Sequence, residues 1–194
     1  MLIGNAVVGQ SGGPTAAINA TLSGVIRGAI GAECIGTLYG MRNGIEGLLR
    51  EDLIDLSKVF EGESGLDVLE QTPAAALGSC RKKLPAPTSD KAEDKDFYKK
   101  LFDILNKWNI KYFFYIGGND SMDTVAKMTA YAEANGIEMR IMGVPKTIDN
   151  DLALTDHTPG FGSAAKYIAT TVGEIIRARG GAWLLQKKAS CPHL

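Results

Sequence analysis

The chain alternates short apolar runs with longer segments in which apolar residues recur every three or four positions. Runs of strand length lie at residues 2–8, 33–38, 112–116 and 139–144, with a possible edge strand at 53–56. Helical spacing marks the segment that begins at Pro14 and residues 43–49, 90–108, 121–135 and 162–179. This alternation predicts an α/β fold: a doubly wound, mostly parallel sheet with helices on both faces.

Proline and glycine set two of the expected helix boundaries. Pro14 suits the first position of a helix, where its missing N–H costs nothing. Gly180 and Gly181 follow the last periodic segment and predict a helix stop. We therefore expect one α/β domain over residues 1–179, followed by an atypical tail over residues 180–194.

Composition and charge limit the possible functions. The chain has 194 residues, of which 45% are hydrophobic and 22% charged, and this balance is typical of a globular domain. Its net charge of -1 predicts no general affinity for nucleic acid or for membranes. The first 26 residues lack charged side chains, but glycines and polar residues interrupt them. They resemble neither a spanning helix nor a signal peptide, so we expect a cytoplasmic protein.

The three cysteines suggest neither a disulfide framework nor a zinc site. Cys34, Cys80 and Cys191 are odd in number and far apart, and the chain has only two histidines. Reduced thiols are the simplest interpretation.

Two polar segments each follow a strongly apolar, strand-like run. Residues 117–121 (Gly-Gly-Asn-Asp-Ser) follow the run at 112–116, and residues 145–151 (Pro-Lys-Thr-Ile-Asp-Asn-Asp) follow the run at 139–144. Because ligands of parallel sheets bind beyond the carboxyl ends of the strands, both segments are expected at one cleft. Glycines and helix N-termini receive phosphates there, and a lysine with two aspartates suits phosphoryl transfer.

These segments resemble the phosphofructokinase family, which carries a Gly-Gly-Asp-x-Ser turn and a Thr-Ile-Asp-Asn-Asp loop in this order. Ser11-Gly12-Gly13 and Gly78-Ser79-Cys80-Arg81 extend the resemblance, which runs from about residue 3 to about residue 179. With Lys146 and Asp120 at these motif positions, the chain resembles the pyrophosphate-dependent branch of the family. The resemblance implies transfer of a phosphoryl group from pyrophosphate to the 1-hydroxyl of fructose 6-phosphate.

The resemblance also assigns roles to the second segment. Asp149 corresponds to the base that accepts the proton of the sugar hydroxyl, although a plain turn or helix cap would also explain such an aspartate. Lys146 would lie against the transferring phosphate. Thr147 and Ile148 would contact the sugar together with Asp149.

The donor side is implied in the same way. Asp120 would occupy the place of a nucleotide α-phosphate and so repel ATP while admitting pyrophosphate. Arg81 would bridge the phosphates, although its basic run with two lysines is also typical of a solvated face. The residues that the resemblance places at the donor phosphates are Gly12, Gly13, Arg81, Gly118, Asp120 and Ser121.

A magnesium ion is the cofactor that the resemblance implies, with Asn119 and Asp151 as its candidate protein ligands. Most of the family has aspartate where this chain has Asn119. A neutral amide oxygen suits a hard cation but lacks the charge of a carboxylate. Asp151 is therefore expected to carry more of the coordination.

The resemblance ends near residue 179, before a further strand and a Met-Gly-Arg motif of the family. We therefore expect an N-terminal, truncated form without the second lobe, which would bind pyrophosphate weakly and show negligible turnover. The full-length parent would be a homo-oligomer. An ATP-dependent 6-phosphofructokinase or related kinase and a non-catalytic phosphate-binding fragment remain as alternatives.

Overall fold

The structure, a computed structural model, describes the backbone of residues 1–190 and the side chains of residues 1–179. Within this part of the chain, five strands form one sheet in the order β3-β2-β1-β4-β5. Only β3 is antiparallel to its neighbour, and it lies at the edge. The strands are β1 (Gly4–Gln10), β2 (Ile35–Met41), β3 (Leu53–Asp55), β4 (Ile110–Gly117) and β5 (Arg140–Pro145).

Helices connect the strands and cover both faces of the sheet. The longer ones are α1 (Ile18–Ile30), α5 (Ala92–Lys107), α6 (Asn119–Ala134) and α7 (Phe161–Ser190). The shorter ones are α2 (Gly44–Leu49), α3 (Leu56–Val59) and α4 (Leu66–Gln71), with a 3₁₀ turn at Glu61–Glu63. The predicted doubly wound α/β fold with a mostly parallel sheet is confirmed.

The side chains of the central strand β1 alternate between the two faces of the sheet. Most of its residues are small and apolar, and almost all are buried, as expected of a parallel strand covered on both sides. Val7 packs into the cluster formed with α2, α5 and α6, whereas Ala6 and Val8 pack into the cluster formed with α1 and α4. Alternate side chains of one strand thus serve two cores.

Helix α5 illustrates how the periodic pattern becomes packing. Tyr98, Leu101, Phe102 and Leu105 are buried and recur at the spacing of one helix face. Phe97 and Trp108, which have the same helical spacing, are only partly buried. Tyr98 instead stacks on Tyr131 of α6, with 4.7 Å between ring centroids.

Two predicted helix boundaries are wrong. Helix α1 begins at Ile18 rather than at Pro14, because residues 12–17 form an irregular loop whose atoms contact other loops. Helix α7 continues through Gly180 and Gly181 to Ser190. A glycine costs a helix only about 1 kcal/mol, and the residues after this pair are mostly good helix formers.

The surface of α7 differs from that of the other long helices. Its apolar residues Ile168, Val172, Ile175 and Ile176 recur at the spacing of one helix face, but they are 47–63% exposed. Among the described residues, no helix combines the length and apolar character that crossing a membrane requires. Cys34 and Cys80 carry free thiols, and Cys191 lies outside the described residues.

Candidate active site

A cavity of about 440 Å³ opens at the carboxyl ends of β1, β4 and β5. Four separate segments form its wall: three follow strands β1, β4 and β5, and the fourth lies between helices α4 and α5. Its lining residues are Ser11, Gly12, Gly13, Pro14, Thr15, Arg81, Lys82, Gly118, Asn119, Asp120, Ser121, Lys146, Thr147, Ile148 and Asp149. This is the position at which open parallel sheets bind their ligands.

The loop after β1 is fastened to the loop at residues 78–81. The N–H of Gly12 donates to the carbonyl of Cys80 at 3.0 Å, and the hydroxyl of Ser11 donates to the same oxygen at 3.3 Å. In return, the hydroxyl of Ser79 donates to the carbonyl of Gly12. Gly12 has φ of +74°, which favours glycine at this turn. These bonds bring Arg81 to the cavity beside Gly13.

The second segment carries the N-terminus of α6. A side chain at Gly117 would place its Cβ 2.0 Å from the Ser121 hydroxyl oxygen, so only glycine fits there. Gly118 then starts the helix, and its carbonyl accepts from the N–H groups of Ser121 and Met122. The positive end of the helix dipole therefore lies at the cavity wall, where it favours an anion.

Lys146 is a buried cation at the end of β5. Its side chain donates to the carbonyl of Gly13 with 2.5 Å between Nζ and O, and the residue is only 4% exposed. Burial lowers the pKa of Lys146, and the nearby Arg81 guanidinium lowers it further, while the Asp149 carboxylate partly opposes both effects. An anion in the cavity would favour the charged ammonium.

The Thr-Ile-Asp-Asn-Asp loop continues from Lys146 along the cavity. The N–H of Asp149 donates to the Thr147 hydroxyl oxygen at 3.0 Å, which forms a tight local turn. Thr147, Ile148 and Asp149 all line the cavity, and the Ile148 side chain is about half exposed.

Charges around the cavity favour an anionic ligand. Three cationic side chains (Arg81, Lys82 and Lys146) and two carboxylates (Asp120 and Asp149) line it. Asp120 lies in the first turn of α6, and its carboxylate pairs with the Lys83 ammonium at 3.1 Å. Both partners are mostly exposed, so the pair itself contributes little to stability.

The two candidate metal ligands lie next to each other. The Asn119 amide donates to the Asp151 carboxylate, with 2.8 Å between Nδ2 and Oδ2. Within the described part of the chain, no group of three or more His, Cys, Asp or Glu side chains is arranged to hold a metal ion. Mg²⁺ is usually bound through one or two carboxylates together with substrate phosphates, and one carboxylate beside one amide fits that pattern.

The structure thus brings the predicted site residues together. All of them line the cavity except Asp151, which contacts Asn119 at its edge. Sequence reasoning did not single out Thr15 or Lys82 as site residues. Lys82 belongs to the basic run that contains Arg81, and that run was the available signal. Thr15 is buried, and its hydroxyl oxygen has no hydrogen-bond partner among the described residues.

Comparisons with known proteins identify close relatives of this chain. Residues 5–180 match the phosphofructokinase family. The pyrophosphate--fructose 6-phosphate 1-phosphotransferase of Xanthomonas campestris pv. campestris (strain B100) is 51% identical over 174 residues, which are 90% of this chain and 40% of the relative. The ATP-dependent 6-phosphofructokinase of Clostridioides difficile (strain 630) is 32% identical over 165 residues, which are 85% of this chain and 46% of that relative.

A solved structure gives the same result for the fold. The crystal structure of the pyrophosphate-dependent phosphofructokinase from Nitrosospira multiformis superposes with a TM-score of 0.82 and 42% identity. The match covers 92% of this chain and 42% of that chain. This chain therefore spans less than half the length of the relatives that it matches.

Proposed function

Because this chain belongs to the phosphofructokinase family, we propose that it forms the donor-phosphate site of a pyrophosphate-dependent 6-phosphofructokinase. The reaction moves a phosphoryl group from pyrophosphate to the 1-hydroxyl of fructose 6-phosphate. The observation that carries the proposal is the buried Lys146 ammonium beside Gly13, in a cavity where cations outnumber carboxylates. We further propose that the full-length enzyme is cytoplasmic and forms a homo-oligomer.

Pyrophosphate would bind between the glycine loop and the N-terminus of α6. Backbone N–H groups of Gly13 and Gly118 and the side chains of Arg81 and Ser121 are the proposed contacts. Lys146 would neutralise charge on the phosphoryl group that is transferred. At 4 Å one such ion pair is worth about 4 kcal/mol with an effective dielectric of 20, before desolvation is subtracted.

The proposed base is Asp149. Its carboxylate would accept the proton of the sugar 1-hydroxyl while the hydroxyl oxygen forms a bond to the terminal phosphorus of pyrophosphate. The bond from that phosphorus to the bridging oxygen breaks, and inorganic phosphate leaves. Thr147 and Ile148 would hold the sugar beside Asp149. Such positioning of the acceptor relative to the donor is the main task of a phosphotransferase.

A magnesium ion would complete the donor site. Asp151 and the amide oxygen of Asn119 would hold it against the phosphates, where it would neutralise part of their negative charge. The hydrogen bond between these two side chains holds the first residue of α6 next to Asp151, and the Asn119 amide would have to turn so that its oxygen, rather than its NH2 group, faces the ion.

Asp120 supports pyrophosphate over ATP as the donor. Its carboxylate lies at the cavity edge, where a longer nucleotide donor would bring further phosphate charge. Like charges at close range are unfavourable, so the larger donor would be disfavoured. Lys83 reduces this charge only partly, because the pair is open to solvent.

Titration calorimetry on the purified 194-residue chain tests the donor site. Pyrophosphate, inorganic phosphate and ATP are titrated with and without Mg²⁺, beside a coupled assay for fructose 1,6-bisphosphate. We expect pyrophosphate to bind more tightly than ATP and Mg²⁺ to increase its affinity. Equal or tighter binding of ATP would favour the ATP-dependent alternative, and no binding of either donor would refute the proposal.

A further inference from the structure

Asn150 stands between the two aspartates of the loop and has an unusual backbone conformation. Its φ is +54°, in the left-handed region that asparagine tolerates better than most residues other than glycine. Asp149 and Asp151 are its direct neighbours, so the conformation of Asn150 sets the direction in which each carboxylate leaves the chain. The proposed function gives Asn150 itself no role.

Both polar atoms of the Asn150 side chain bind backbone groups farther along the chain. Oδ1 accepts from the N–H of Thr158 at 3.0 Å, and Nδ2 donates to the carbonyl of Asp156 at 3.2 Å. An ordinary asparagine turn binds the backbone two residues on, whereas these contacts span six and eight residues. The Asn150 side chain therefore closes a loop.

The far end of that loop is anchored to the beginning of the motif. Thr158 is only 3% exposed, and its hydroxyl donates to the carbonyl of Thr147 at 2.7 Å. The N–H of Thr147 donates in turn to the carbonyl of Pro159 at 3.0 Å. A chain of hydrogen bonds thus runs from Asn150 through Thr158 to Thr147, and it encloses Asp149.

We infer that Asn150 is a positioning residue that holds Asp149 and Asp151 at their places beside the cavity. The inference rests on the proposed function, because it concerns the same two carboxylates. Asn150 acts through Thr158 and Thr147. Loss of its side chain should release Asp151 from its place beside Asn119. Mg²⁺ should then increase the affinity for pyrophosphate less than it does in the unmodified chain.

The test uses Asn150→Gly, which tolerates the left-handed backbone but removes both side-chain hydrogen bonds. By calorimetry on the full chain, we expect the pyrophosphate affinity in Mg²⁺ to fall roughly tenfold, the scale of one lost hydrogen bond of about 1.4 kcal/mol. The affinity without Mg²⁺ should stay nearly unchanged, because the glycine loop, Arg81 and Lys146 are intact. Asn109→Gly is the matched control, since Asn109 is also left-handed (φ +49°) but lies at the opposite end of β4.

A second pair of variants separates positioning from general damage. Thr158→Val removes the hydroxyl that reaches Thr147 and should repeat the Mg²⁺-specific loss, whereas Thr158→Ser keeps the hydroxyl and should restore affinity. The double variant Asn150→Gly/Thr158→Val should be no weaker than the worse single variant, because both interrupt one chain of hydrogen bonds.

The outcomes distinguish this inference from the proposed function. Absence of pyrophosphate binding by the unmodified chain would refute the donor site and the inference with it. If the unmodified chain binds and Asn150→Gly binds equally well in Mg²⁺, only the positioning role is overturned. Equal losses with and without Mg²⁺, or additive losses in the double variant, would also overturn it.

Discussion

The Lys146 ammonium donates a hydrogen bond to the carbonyl oxygen of Gly13, 133 residues earlier in the chain, with Nζ and O 2.5 Å apart. This bond joins the end of β5 to the loop after β1. A nearly buried ammonium beside the Arg81 guanidinium is unfavourable in the absence of an anion, as the lowered pKa of Lys146 indicates. The ligand-free site therefore carries a cost that a bound phosphate would relieve.

Replacing Lys146 with Met should stabilise the ligand-free chain and abolish pyrophosphate binding. The gain at pH 7 should be about 0.5–2 kcal/mol, as is common when a functional site is relieved of an unfavourable group. The folded-state pKa of Lys146 lies below its unfolded value of 10.5, so the unfolded state binds the proton more tightly. The stability of the unmodified chain should therefore rise with pH through the window below 10.5, and the advantage of Met should shrink.

Urea unfolding at pH 7 and at pH 10, just below the unfolded value of 10.5, measures this difference. Lys127→Met is the control, since Lys127 also donates to a carbonyl, that of Leu84, and pairs with Asp123 outside the cavity. It should not stabilise the chain or alter pyrophosphate binding. A Lys146→Met chain that is less stable than the unmodified chain at pH 7 would contradict the interpretation.

Replacing Asp120 with Gly should weaken the discrimination against ATP. Removal of the carboxylate takes away one repulsive contact with the longer donor, and we expect ATP affinity to rise by at least about tenfold. Pyrophosphate affinity should change less. Calorimetry with both donors checks this, with Asp123→Gly in the next turn of α6 as the control for the loss of helix propensity. An unchanged ATP affinity would show that Asp120 does not select the donor.

Replacing Asp149 with Ser should separate catalysis from donor binding. Loss of a general base typically lowers the turnover number by roughly 10²- to 10⁴-fold. Pyrophosphate affinity should stay similar, because the proposed donor contacts lie elsewhere on the cavity wall. Steady-state kinetics of the full-length parent measure the turnover number, and calorimetry on this chain measures the pyrophosphate affinity. A loss confined to the Michaelis constant would make Asp149 a binding residue instead.

Replacing Thr15 with Val should raise the stability of the ligand-free chain by about 1 kcal/mol. The Thr15 hydroxyl oxygen is buried without a partner among the described residues, and a methyl group of the same shape removes that penalty. Thr124→Val is the matched control, because the buried Thr124 hydroxyl donates to the carbonyl of Asp120 at 3.1 Å. It should lower stability. Chemical denaturation of both variants measures their free energies of unfolding. A Thr15→Val chain that is less stable than the unmodified chain would show that the hydroxyl has a hydrogen-bond partner in solution.

Features encoded by neighbouring residues were predictable from the sequence. A glycine pair after an apolar run predicted the turn into α6, and the Lys-Thr-Ile-Asp string predicted the second wall of the cavity. The alternation of residue types predicted the sheet and most helix positions to within a few residues. These signals depend on local backbone preferences and on the period of apolar positions.

Features that depend on distant contacts were not predictable. The Thr15 side chain packs against Gly160, where a Cβ would approach it at 2.8 Å, and this contact joins residues 145 positions apart. The late start of α1 depends on bonds from its preceding loop to residues 78–81 and to Lys146. Short helices α3 and α4 bury few residues each, so their sequences carry little periodic signal.

The strand order has a consequence for how the protein is made. Strand β1 pairs with β2, some 30 residues later, but its other neighbour is β4, with Val7 opposite Phe113. During synthesis one edge of β1 therefore stays unpaired until more than half of the chain has been made. Such distant pairings form slowly and leave apolar surface exposed until they are complete. The bond from Lys146 to Gly13 can close only after that. Phosphate capture therefore depends on a completed sheet, because the cavity wall combines the ends of β1, β4 and β5.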